Sequence, residues 1–283
     1  MGYGKEHDFM SPGHVAHALL VPGMPHLTAD DPAVSWKELS KAAIELGREL
    51  ADDVDTWLVV STQWFTVLGF QFQTAEHPHG VHVDENWYAY DYGELEYDLH
   101  TDPTLTECWI DSTAAAGFDV HRTDYEGFPI DTGTIAAMML LNPGGRKPVA
   151  SASMNLYAGP ELMTTLGECA SLAAVNSGKR IGVVAVSGLS TGVHQQWLRP
   201  QDERIFSEQH DTWNRRILEL LGTGRVNEVL ELREQFSQAA AADSQFRAIN
   251  FLAGTGLLTA PGDVRAYGSV WGTGAAVVHW TKS

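Results

Sequence analysis

Short apolar runs of strand length alternate along this chain with stretches of helical periodicity. No other feature limits the fold as strongly. Val15–Val21 is an apolar run stopped by Pro22-Gly23, and Trp57–Ser61 is a second. Thr66–Gln73 alternates apolar and polar residues, as a half-buried strand does. Phe118–His121, Val149–Ser153, the β-branched run Arg180–Ser187, Arg265–Val270 and Ala275–Trp280 read as further strands. Between them, Trp36, Leu39, Ala43, Leu46 and Leu50 mark one face of a helix over Trp36–Ala51, with Ser35 as its expected N-cap. Pro103–Ala116, Thr132–Leu141 and Glu161–Asn176 are helical, the last closed by Gly178. Residues 202–221 and 225–257 are rich in helix formers, interrupted at Gly222-Thr-Gly224. The polar stretch Thr74–Tyr97 is expected to be mostly loop. Strands interleaved with helices predict an α/β protein with a central, mostly mixed sheet flanked by helices. Nothing in the composition splits the chain, so one domain is expected over 14–283, behind a loose glycine-rich tail, 1–13.

The 283 residues carry 18 Lys plus Arg against 36 Asp plus Glu, a net charge of −18. Such a surface repels phosphate, which disfavours nucleic acid and anionic membranes as partners. No apolar run reaches the ~20 residues of a membrane span. The two cysteines, Cys108 and Cys169, form no disulfide framework and suit a reducing cytoplasm.

Three local patterns carry candidate chemistry. Gly188-Leu-Ser190-Thr-Gly192 follows a strand and matches a G-x-S-x-G nucleophile elbow, with His279 as a late base. That elbow needs a helix at once, and Pro200 leaves room for a turn or two, so a serine hydrolase is the lesser reading. His77-Pro-His79-Gly-Val-His82-Val-Asp84-Glu85 puts three imidazoles and two carboxylates within nine residues. They suit a transition metal, or else a solvated loop. Gly268-Ser-Val-Trp-Gly272-Thr-Gly274 lacks the helix of a dinucleotide site and reads as a turn between strands. The aromatics Trp87, Tyr88, Tyr90 and Tyr92, set among acids, are candidates for an interface or a pocket lip.

Several strings, taken in order, resemble a known family. They are Pro22-Gly-Met-Pro-His26-Leu, Ser61-Thr-Gln63-Trp64-Phe65, Gly80-Val-His-Val-Asp-Glu-Asn-Trp-Tyr88, Phe128-Pro-Ile-Asp-Thr-Gly133, Ser187-Gly-Leu-Ser190 and Trp213-Asn-Arg-Arg216. Together the sequence resembles the class III (type II) extradiol ring-cleavage dioxygenases, and within them the α-type subunits of two-chain members. The resemblance implies ferrous iron held by two histidines and a carboxylate, with a further histidine as acid/base. At the positions that match, His26 is retained. Gln63 stands for the second histidine, Arg247 for the carboxylate and Thr191 for the acid/base histidine. His194 is the substitute for that last role if the loop turns back. Arg247 would then set a cation where the metal's charge would have been. The resemblance therefore implies a non-catalytic subunit that binds no iron itself. Its β partner would carry Fe(II) and cleave an aminophenol or catechol ring, in a cytoplasmic heterotetramer. One rival is an active dioxygenase with variant ligands, His26 with His82 and Asp84 or Glu85. The other is the hydrolase through Ser190.

Overall fold

The computed structural model describes residues 12–30, 32–125 and 127–282. The expected tail, 1–13, lies outside them except for Pro12 and Gly13.

Eight strands form one mixed sheet, ordered β6 (Val120–Thr123), β3 (Phe70–Gln73), β7 (Val149–Asn155), β2 (Thr56–Thr66), β8 (Arg180–Val186), β1 (His14–Val21), β10 (Thr273–Thr281) and β9 (Asp263–Val270). The central strands β7, β2, β8 and β1 run parallel, whereas β10 and β9 close the sheet as an antiparallel hairpin. Burial on both faces explains why β8 reads as one apolar run: Ile181–Val186 are all buried. One face packs α2 (Pro103–Ala115), α4 (Pro160–Ser177), α5 (Glu208–Gly222), α6 (Val226–Ala240) and α7 (Arg247–Gly254). The other packs α1 (Val34–Glu49) and α3 (Thr132–Leu141). The single mixed α/β domain agrees with the sequence.

The chain leaves β1 toward α1 on one face and β8 toward α5 on the other. Loops that part in opposite directions open a crevice at the carboxyl ends of these neighbouring strands, which is where open α/β sheets bind ligands.

Three local expectations need correction. Thr74–Tyr97 holds a strand pair that its composition did not announce: β4 (His79–Val83) and β5 (Glu94–Asp98) pair as an antiparallel hairpin, with a short 3-10 turn at Tyr88–Tyr90 and loop elsewhere. Polar side chains on its solvent face masked the period, and only Leu95 in β5 turns fully inward. The helical stretch 225–257 breaks at residues 241–246, where Ala241, Ser244, Gln245 and Phe246 all have positive φ. Alanine and glutamine carry no break signal, so helix propensity misled there. Ser35 is not the N-cap of α1. Ala33 holds that position, and the Ser35 hydroxyl donates across to the Ser269 carbonyl at 2.7 Å.

Candidate functional site

The crevice at the ends of β1, β2 and β8 holds a cavity of about 560 Å³, room for a small aromatic ligand. Gly23 after β1, Thr62 and Gln63 in β2, Asp84 after β4, Ser187 and Gly188 after β8, and Asp243 at the break before α7 form its polar part. Thr62 and Gln63 reach it through a bulge. Ser61 pairs with Ser153 and Phe65 already with Met154, so residues 62–64 are extra and loop out of the ladder. The aromatic wall is Trp87 and Tyr90 from the tip of the β4–β5 hairpin, Trp197 from the loop after β8, and Trp271. Tyr90 stacks on Trp197 at 5.4 Å, and Trp197 meets Trp271 edge-on at 5.3 Å.

Trp271 and Gly272 both take positive φ, which makes the tight β9–β10 turn that the glycine-rich string foreshadowed. A tryptophan in that region is strained. Glu203 holds it, accepting from the backbone amides of Trp271 (2.9 Å) and Gly272 (3.1 Å), the Ser269 hydroxyl and the Trp36 indole. Nothing in the sequence around Glu203 announces that role, because its partners lie over 60 residues away or more.

The positions matched to the dioxygenase family behave differently from one another. His26 is fully buried, and neither ring nitrogen has a hydrogen-bond partner among the described residues. It is boxed by Trp36, Trp87, Tyr92 and Trp271, with centroids 4.4 to 5.6 Å away. Burial pushes its pKa down to about 3, against the charge of Asp84, so the ring is neutral. It is not among the cavity-lining residues. Gln63 does line the cavity, and its amide donates to the Gly23 carbonyl at 3.0 Å. Thr191 also lines it, bonding its hydroxyl to the Ala241 carbonyl at 2.6 Å. His194 reaches the cavity as well, with its Nε2 3.2 Å from the Arg204 carbonyl oxygen.

Arg247 does not line the cavity. It is buried, bonding the carbonyls of Ala158 (2.7 Å) and Ser244 (3.0 Å) and the side chain of Gln245. The expected cation at the metal position is not met. Two carboxylates line the cavity instead: Asp84, named in the His-rich stretch, and Asp243, which the sequence reading missed. One of its oxygens accepts from the Gly188 amide (2.7 Å), Thr62 (2.9 Å) and Ser187 (3.1 Å), joining β2, β8 and the break before α7. Burial nonetheless pushes its carboxyl above the ordinary value. Its only signal in sequence is an acid ending an alanine run.

Two histidines and a carboxylate facing one point are therefore not assembled. His26 is walled off, Gln63 offers only a neutral amide, and His194 is the one histidine among the described residues that lines the cavity with Asp243. These residues do not fit an iron site. The variant set is not gathered either. Asp84 is buried and accepts from Thr132 (2.6 Å) and the Asn86 amide (2.8 Å), Glu85 is exposed, and His82 lies on β4. Among the described residues, the one group of three or more ligand atoms within 4.8 Å of one another is His77, Asp98 and His100.

The hydrolase reading is overturned. Ser190 is fully buried, and its oxygen accepts from Asn214 (2.9 Å) and the Gly274 amide (3.3 Å). His279 pairs with His17 at 3.0 Å instead. No helix follows the elbow; the chain runs as loop to a 3-10 turn at Pro200. Of the aromatic interface candidates, Trp87 and Tyr92 pack on His26, while Tyr88 and Tyr90 are exposed.

Residues 15–276 match the family described as the catalytic LigB subunit of aromatic ring-opening dioxygenase. The chain belongs to the LigB family. Its LigB-family relatives include the 2-aminophenol 1,6-dioxygenase alpha subunit of a Pseudomonas species, 37% identical over 94% of this chain and 99% of the relative. The beta subunit of the same name is 29% identical over 96% of this chain and 95% of its own. A crystal structure of an uncharacterised protein from Escherichia coli K12 shares the fold at TM-score 0.68 and 15% identity, covering 93% of this chain and 99% of that one. No helix among the described residues is long and apolar enough to cross a membrane.

Proposed function

We propose that this chain is the non-catalytic, α-type subunit of a two-chain LigB-family dioxygenase that opens an aminophenol or catechol ring. It stabilises a homologous β subunit, and that subunit holds the ferrous iron. The observation that carries the reading is His26. It alone keeps the family's residue, yet it is sealed behind four aromatic rings, with no hydrogen-bond partner for either nitrogen among the described residues. Iron needs an open path and further donors converging on one point, and among the described residues His26 belongs to no such group. The near full-length likeness to an alpha and to a beta subunit supports pairing with a β chain. A cytoplasmic heterotetramer of two chain types fits that pairing.

Within such a complex the residues of this chain position and exclude. Asp243 clamps the ends of β2 and β8, Glu203 fixes the β9–β10 turn, and the aromatic wall keeps water from His26. Expression of the chain alone and with a homologous β chain tests the reading. Iron, ring opening and a higher native mass are expected only from the pair. Stoichiometric iron with turnover from this chain alone would overturn it.

A further inference from the structure

The His-rich stretch that the cavity does not absorb lies at the base of the β4–β5 hairpin. His77 precedes β4 and His100 follows β5, and the backbone pairing continues past both ends. The Leu99 amide donates to the Pro78 carbonyl (3.0 Å), and the Thr101 amide to the Glu76 carbonyl (3.0 Å). That ladder sets His77, Asp98 and His100 side by side. His77 Nε2 is 2.6 Å from Asp98 Oδ1, the His77 and His100 rings stack at 4.2 Å, and the ring of His79 lies 4.6 Å from that of His77. One ligand atom from each of His77, Asp98 and His100 lies within 4.8 Å of the others.

We infer that His77, Asp98 and His100 form a binding site for a divalent transition-metal ion of the zinc or nickel class, clamping the base of this hairpin. Two imidazoles and one carboxylate suit such ions, with water completing the shell. Ligand-to-metal distances of about 2.0–2.2 Å put bound donors roughly 3.3 Å apart, so exposed side chains need small rotations and no backbone movement. The hairpin tip carries Trp87 and Tyr90 of the cavity wall, so an ion at its base ties two strands together beneath them. The site is separate from the family's iron position, and it does not rest on the reading of the cavity.

The test is a calorimetric titration of the chelator-stripped full chain with zinc chloride, in a Cys108→Ser background that removes the half-buried thiol. One ion per chain is expected, with His77→Gln and His100→Gln each weakening binding about 10- to 100-fold. His82→Gln and His26→Leu are expected to bind as the parent does. A saturable rise in thermal midpoint with zinc, absent in the His77→Gln/His100→Gln double variant, is the second readout. His77 and His100 lie at exposed positions, so circular dichroism of their variants should stay unchanged. No saturable binding, or binding unaltered in the double variant, overturns the site.

Discussion

A buried imidazole with no partner costs free energy, because water satisfied both nitrogens in the unfolded chain. His26 stays neutral through the ordinary pH range, so no ionic term offsets that cost. His26→Leu, similar in volume and apolar, is expected to leave stability unchanged or raise it by about 1–2 kcal/mol in urea unfolding. Ring opening by the α–β pair should be unaffected. A clear loss of either would show that the imidazole works. Asp243 is the opposite case. Asp243→Ala strands the Gly188 amide and two hydroxyls, and should cost roughly 2–4 kcal/mol. Asp243→Asn keeps an acceptor at the same place and should cost much less. Equal losses in the two variants would remove the clamp from the account.

At the scale of elements, α3 meets the end of β2 at very close range. Asp131 caps α3 through the Thr134 amide and accepts from Ser61, and Gly133 lets the two approach. A Cβ on Gly133 would stand 2.5 Å from Ser61 Oγ and 3.2 Å from Gln63 Cδ. Alanine gains up to about 1 kcal/mol of helix propensity, but overpacking costs about 1–3 kcal/mol. Gly133→Ala should therefore lower the thermal midpoint, and a rise would contradict the packing.

The β1–β10 pair holds a pH-dependent contact. His17 and His279 hydrogen-bond at 3.0 Å, and burial lowers both pKa values, that of His279 to about 4. Asp53, Asp263 and Glu49 oppose the shifts, whereas His14 and Arg265 add to them. The unfolded chain binds protons below about pH 6.5 that the folded chain refuses. Stability from the pair is thus complete above about 6.5 and falls as pH drops toward 4. Wild type should lose roughly 1–3 kcal/mol more than His279→Gln over that window, and parallel curves would dissociate the pair from the effect.

For the whole molecule, a net charge of −18 means self-repulsion. In β5 the acids Glu94, Glu96 and Asp98 all face solvent. Raising salt from about 10 to about 150 mM shortens the Debye length from about 30 to about 8 Å. The thermal midpoint of the isolated chain should rise over that range, as a scanning fluorimetry series would show. A fall would mean that favourable ion pairs outweigh the repulsion. If the β chain docks on this acidic hairpin, assembly weakens over the same salt range.

What the sequence determined alone was the fold class and the family. Alternating apolar runs are one-dimensional, and so are the ordered strings from His26 to Trp213. The positions Gln63 and Thr191 came from the family resemblance, and both line the cavity, Gln63 from the bulge in β2 and Thr191 from the loop after β8. Only the tertiary structure decided that Asp243, and not Arg247, faces the cavity. Four residues with positive φ between α6 and α7 turn Asp243 inward and Arg247 toward carbonyls, and backbone dihedrals of that kind leave no composition signal. The same holds for Glu203, for the isolation of His26 and for the meeting of His77 with His100. Glu203 and His26 depend on segments far apart in the chain, and His77 meets His100 only through the register of the β4–β5 hairpin.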